Sequence, residues 1–198
     1  MSVNMPVKNT HPDGPDAESG VRSSAPEDSE VPVIVVTGFR DSGKTTAVEG
    51  IVRELTRRGY RVGTLKHCHY GFGLDQPGKD SWRHRQAGSA GTVLLGPKEF
   101  ALLGGAPPDR DPRKLAAWLL PDVDLVVVEG IHSLQLPRVE IVEHDGTSRP
   151  AHPEGEVLFR LPQLFRLKEI LVLCDMLEER YLKPRKTVLN GVATPSGA

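Results

Sequence analysis

Residues 38–45 read Gly38-Phe39-Arg40-Asp41-Ser42-Gly43-Lys44-Thr45, a complete G-x-x-x-x-G-K-T loop. No other stretch constrains the fold as tightly. The motif cradles a polyphosphate when its backbone N–H groups converge, which calls for a strand before it and a helix N-terminus after it. A chance match in a chain of this length has odds of roughly 1%. Residues 38–46 are therefore the candidate nucleotide-binding segment. Gly38, Arg40, Asp41, Ser42 and Gly43 make the turn. Lys44 brings positive charge to the β- and γ-phosphates, Thr45 offers a hydroxyl to Mg²⁺, and Thr46 follows in the first helical turn.

The flanks agree with this requirement. Val31-Pro32-Val33-Ile34-Val35-Val36-Thr37 is a β-branched run that reads as a buried strand. After the loop, Val48, Ile51, Val52 and Leu55 recur at the spacing of one helix face. Arg57 and Arg58 fall in that helix's last turn, and Gly59 stands where a helix ends.

The 198 residues allow one α/β domain plus tails. Hydrophobic residues make up 38%, and the shortfall lies in residues 1–30, which are rich in Pro, Ser, Asp, Glu and Gly. That segment is expected to be a disordered tail. The domain is expected over 31–188, and 189–198 is expected to be a flexible end. No apolar run approaches the length of a membrane span. The net charge of −1 provides no general attraction to nucleic acid or anionic lipid, so neither is expected as a partner. Two cysteines, Cys68 and Cys174, are too few for a disulfide framework, and a reducing cytoplasm is the expected location.

A second strand is predicted over 60–65, closing on Lys66-His67-Cys68-His69. A short helix is predicted from Asp80 or Ser81 to Ala87. Strands at 92–95 and 99–103 are separated by a hairpin-length Gly96-Pro97-Lys98 turn. A helix is predicted at 113–120, a near-continuous apolar strand at 124–130, a further strand at 139–142, irregular chain at 144–156, and a last buried strand at 169–175. Strands alternating with helices predict an α/β fold of the P-loop NTPase class, a mostly parallel sheet with helices on both faces.

In such a sheet ligands gather at the carboxyl ends of the strands. Glu129 ends an apolar strand, as a Walker B carboxylate does. It is expected to hold Mg²⁺ directly or through water, or to orient an attacking water; a structural hydrogen bond is the alternative. Lys44 and Glu129 are the candidate catalytic pair. Lys66, His67 and His69 suit the anionic end of a nucleotide or a second phosphorylated ligand. Zinc held with Cys68 and His84, or plain surface, are the competing readings. Lys79, Asp80 and Ser81 offer a cation, a carboxylate and a hydroxyl in one turn, or simply a loop and a helix cap. Asp175, as a strand-end carboxylate, is a candidate acceptor for a guanine edge. The Asn-Lys-x-Asp guanine signature is absent, so these residues do not separate GTP from ATP.

Five pieces occur together in order: the loop 38–45 after the first strand; Lys66-His67-Cys68-His69; Asp75-Gln76-Pro77-Gly78-Lys79-Asp80-Ser81; Arg85-Gln86-Ala87-Gly88; and Val126-Val127-Val128-Glu129-Gly130. In these the chain resembles the MobB family of molybdopterin-guanine dinucleotide biosynthesis adaptor proteins, over about residues 32–175. The resemblance implies a GTP-binding protein of low intrinsic GTPase activity and a homodimer. It implies a partner, a MobA-type guanylyltransferase that attaches GMP to molybdopterin, and leaves open whether molybdopterin itself is held. By matched position, Lys44 and Thr45 serve phosphate and Mg²⁺, Glu129 serves the metal, and His67, Lys79 and Asp80 line the adjoining anionic pocket. The alternative on the same fold is a small-molecule or nucleotide kinase, with arginines 83, 85, 110 and 113 as candidate lid residues. A nickel-chaperone type of GTPase calls for a richer His/Cys cluster than residues 67–69 provide.

Overall fold

The computed structural model describes residues 31–131, 135–148 and 154–184; the expected tails at 1–30 and 189–198 lie outside the described residues. The first strand, β1 (Val33–Thr37), is buried along its whole length, and the loop carries it into helix α1 (Lys44–Arg57). Next come β2 (Val62–Lys66), α2 (Asp80–Gln86), β3 (Gly91–Leu95), β4 (Phe100–Gly104) and α3 (Pro112–Leu119). The chain continues through β5 (Leu125–Glu129), β6 (Arg138–Val142), β7 (Val157–Pro162) and α4 (Leu167–Leu177), and a π-helical turn, Glu178–Leu182, extends α4.

Five strands form one sheet in the order β2-β5-β1-β6-β7, with every neighbouring pair parallel. β1 is thus central. The connection from β1 leads to one side, while that from β5 to β6 crosses to the other, so the sheet's topological switch lies at the end of β1, where the phosphate loop begins. Alternation along β1 builds the two layers. Ile34 and Val36 join Ala47, Ile51 and Leu55 of α1 and Ile170, Leu173 and Leu177 of α4 in the larger core. Val33 and Val35 face the other way, with Val126, Val128 and Ala116 of α3.

The run at 169–175, expected as a strand, is helix α4. Ile170, Leu173, Cys174 and Leu177 are buried at helical spacing against α1, while Val172 is 55% exposed. The Glu169 carboxylate accepts the Arg166 backbone N–H at 2.8 Å and closes the helix start. The edge strand β7 was not anticipated. β3 and β4 pair antiparallel, as the Gly-Pro-Lys turn predicts, but form a separate two-stranded sheet. Both cysteines are unpaired, and burial pushes the Cys174 thiol up to about 12.

Candidate functional site

The loop's shape follows from two left-handed residues, Asp41 (φ 58°) and Gly43 (φ 93°). They reverse the chain so that it enters α1 with backbone N–H groups pointing outward, an arrangement suited to anions. The first helical bond runs from the Ala47 N–H to the Gly43 carbonyl at 2.9 Å. The amides of Lys44, Thr45 and Thr46 precede that bond and face the helix mouth. Gly38 is required for space: a Cβ there would lie 2.5 Å from the Ser42 Oγ. Lys44 curls back across the loop and donates to the Phe39 carbonyl.

Register sets the second half of the site. Val36 of β1 and Lys66 of β2 both pair with Glu129 of β5, so three strand ends meet at one carboxylate. The Thr45 hydroxyl donates to Glu129 Oε1 at 3.0 Å, and the Lys66 ammonium pairs with the same oxygen. The Glu129 side chain is 9% exposed. Behind it Gly130 adopts φ 94°, and a Cβ there would stand 3.2 Å from the His67 carbonyl. The His67 N–H donates to the Glu129 carbonyl at 3.0 Å, continuing the pairing past the end of β2.

Lys44, Thr45, Lys66 and Glu129 open into one cavity of about 450 Å³, rimmed by Arg40, Asp41 and Gly43. A neighbouring groove of about 430 Å³ shares Thr45, Lys66 and Glu129 and is walled by Val48, Val52, Leu65 and Val127. These sizes are within the range of small-molecule sites. The cavity sets three cations against two carboxylates and a helix N-terminus, an electrostatic balance that favours an anion. The donor set also suits Mg²⁺. Oxygens on adjacent corners of a Mg²⁺ octahedron are roughly 2.9 Å apart, and the Thr45 and Glu129 oxygens already stand 3.0 Å apart.

The other expected residues are placed differently. His67 is half-buried, with its Nδ1 enclosed and lacking a hydrogen-bond partner, and its ring meets that of His69 edge-on at 4.4 Å. Among the described residues no group of three or more His, Cys, Asp and Glu side chains is arranged to hold a metal. Lys79 and Asp80 are exposed at the start of α2, outside both cavities. The organiser of that segment is Asp75, which sequence reasoning missed. It accepts the Ser81 hydroxyl at 2.8 Å and an Arg85 N–H at 3.4 Å, fastening the 75–81 turn to α2. Arg113 is bound to Asp111 on its own helix cap.

Asp175, expected at a strand end as a base reader, sits instead on α4. It is 66% exposed and forms an ion pair at 2.7 Å with Arg58, at the far end of α1 from the loop. The flank of the loop on the β7 side is closed by the turn before α4. The Phe165 ring lies 3.5 Å from where a Gly43 Cβ would be, and the Gln163 carbonyl lies at 3.9 Å. A hydrophobic residue after an edge strand carries no sequence signal for that position.

A parallel sheet switching direction at a G-x-x-x-x-G-K-T loop, with a carboxylate closing the adjacent strand, defines the P-loop NTPase fold. The chain belongs to the MobB family: the family model described as molybdopterin guanine dinucleotide synthesis protein B matches residues 33–159. The chain is 35% identical over 112 residues to a molybdopterin-guanine dinucleotide biosynthesis adapter protein of Haemophilus influenzae, covering 56% of this chain and 63% of that protein. It is 30% identical over 123 residues to the adapter protein of Escherichia coli, covering 61% and 70%. A solved molybdopterin-guanine biosynthesis protein B shares the fold, with a TM-score of 0.58 at 22% identity over 74% of this chain and 97% of that one. Bacillus subtilis MobB does so with a TM-score of 0.53 at 22% identity, covering 75% and 97%.

Proposed function

We propose that the chain binds GTP with Mg²⁺ at the 38–46 loop and serves as an adaptor in molybdopterin guanine dinucleotide synthesis, assisting a MobA-type guanylyltransferase in the cytoplasm. The observation that carries the nucleotide reading is the Thr45–Glu129 contact, which joins the loop to the neighbouring strand end at a spacing ready for a metal. The relatives' names, family membership and the anion-favouring cavity support the rest. Lys44 and the first amides of α1 would hold the β- and γ-phosphates, with Thr45 and Glu129 on the metal. Bound Mg²⁺ would neutralise phosphate charge. With the metal side fixed toward β2 and β5, the base would extend toward the Gln163–Phe165 side, not toward Asp175.

Hydrolysis in this reading is slow, far below the ~1–100 s⁻¹ of kinases. The expected result is that calorimetry detects Mg²⁺-dependent GTP binding, and that adding the chain to the guanylyltransferase and molybdopterin raises dinucleotide yield. Equal yield across all ratios would remove the adaptor role. Rapid phosphorylation of a small acceptor would favour a kinase.

The reading includes a homodimer. One face of the β3–β4 hairpin presents Val93, Leu95, Phe100 and Leu102, with Leu95 85% and Phe100 74% exposed. An isolated two-stranded sheet is marginal in water, and a second copy supplies both the missing strands and an apolar cover. Sedimentation is expected to give a dimer that Phe100→Lys converts to monomer.

A further inference from the structure

We propose that Glu129 restrains Lys66 until a divalent cation and a nucleoside triphosphate are present together, and that Lys66 then becomes the second phosphate-binding lysine of the site. This rests on the nucleotide reading above and extends it to a residue outside the loop.

The argument starts from a single atom. Glu129 Oε1 accepts the Thr45 hydroxyl and pairs with the Lys66 ammonium at once. A carboxylate oxygen has about two acceptor positions, so this one is fully used. A cation bound by Thr45 and Glu129 takes the place of the Thr45 hydrogen bond at Oε1 and repels the neighbouring Lys66 ammonium at close range. That repulsion weakens the Lys66–Glu129 pair once the metal side of the site is filled and releases the ammonium to turn.

The new partner is close by. Lys66 and Lys44 line the same cavity. The Lys66 side chain is 53% exposed, so it has room to turn. Its backbone stays in place, because the β2–β5 ladder pairs Lys66 with Glu129 and is extended by the His67 N–H. The exchange is thus a rotation of one side chain on a fixed strand. It moves a positive charge from a buried carboxylate to the terminal phosphate. A diphosphate lacks that phosphate and leaves Lys66 without the second partner. Lys66 then adds to the discrimination of triphosphate from diphosphate only when the metal is present.

Calorimetry with non-hydrolysable GTP analogue and with GDP, each in Mg²⁺ and in EDTA, tests the exchange. In Mg²⁺, Lys66→Met is expected to weaken the triphosphate roughly tenfold or more and to leave GDP nearly unchanged. In EDTA it is expected to change neither. Lys66→Arg is expected to restore most of the lost affinity. Glu129→Gln releases its hold on Lys66 and is expected to bind the triphosphate in EDTA more tightly than wild type. Circular dichroism checks that each variant is folded. Equal losses in Mg²⁺ and EDTA, or for triphosphate and diphosphate alike, would show a static contact and overturn the exchange, as would no loss at all or an unchanged Glu129→Gln in EDTA. A wild-type chain that binds neither nucleotide overturns the functional reading, and the exchange with it, whereas normal wild-type binding with an unaffected Lys66→Met overturns the exchange alone.

Discussion

Helix α1 has charged groups at both ends, and the two ends are built to opposite purposes. At its C-terminal end Glu54 accepts two bonds from Arg57 at 2.8 Å and one from Arg58 at 2.7 Å. Arg58 continues to Glu178 at 2.7 Å, whose other oxygen accepts the Tyr60 hydroxyl at 2.8 Å. Each charge there is answered by another side chain of the same domain, and the network ties α1 to the end of α4. About 21 Å away, one helix length, the N-terminal end keeps a surplus of positive charge, strained backbone and an open cavity. A complete network serves folding; an incomplete one is complementary to something outside the chain.

If that contrast is right, substitutions at the two ends separate binding from stability. The largest effect is expected from Lys44→Ala, which should cost about 3 kcal/mol of Mg²⁺–nucleotide binding, roughly a hundredfold, with no fall in the thermal midpoint. Calorimetry and a melting curve on the same sample check both halves. Gly38→Ala should act on both. Its Cβ would meet Ser42 Oγ at 2.5 Å and the core residue Ile141 at 3.1 Å, so the loop must move. A binding loss of roughly tenfold, with about 1 kcal/mol of stability, is expected from such overpacking.

At the other end, Glu54→Gln should lower the thermal midpoint and leave nucleotide affinity intact. It should also change the response to acid. Hydrogen bonds from Arg57 and then Arg58 hold the Glu54 carboxyl down to about 2, against an ordinary 4.5. The unfolded chain therefore takes up its proton first. The stabilisation is whole above pH 4.5 and is lost as pH falls from 4.5 to about 2. The glutamine variant should lose less stability across that window than wild type, which acid titration of the unfolding midpoint measures.

The difference between the ends also explains what was legible in the sequence. The loop end is coded locally: strand, loop and helix follow one another, and the strand-end rule placed Glu129 beside the loop even though it lies 84 residues from Thr45. The hairpin was legible for the same reason, since Gly96-Pro97-Lys98 punctuates two apolar runs. The structural end depends on contacts between remote segments. Ile170 to Cys174 is a short apolar run that suits a strand or a buried helix. The buried positions 170, 173, 174 and 177 decide for the helix only once α1 supplies the surface they cover. β7 was missed because Arg160 and Pro162 interrupt its apolar pattern, which an edge strand tolerates. Asp75 was missed because its main partner, Ser81, looks like an ordinary helix cap.

The smallest effect is expected where that misreading mattered most. As a strand-end carboxylate, Asp175 would face the nucleotide base, and Asp175→Asn would weaken guanine binding. On α4 it is an exposed partner of Arg58, which keeps Glu54 and Glu178 in any case. Exposed ion pairs contribute about 0–1 kcal/mol, and a redundant one belongs at the low end. Asp175→Asn should therefore leave GTP affinity and its preference over ATP unchanged and shift the thermal midpoint barely, if at all. A selective loss of GTP binding in this variant would place the base on the α4 side of the molecule and dissolve the division between a binding end and a structural end of α1. An unchanged affinity alongside the Lys44→Ala loss would locate nucleotide recognition wholly at the helix's N-terminal end.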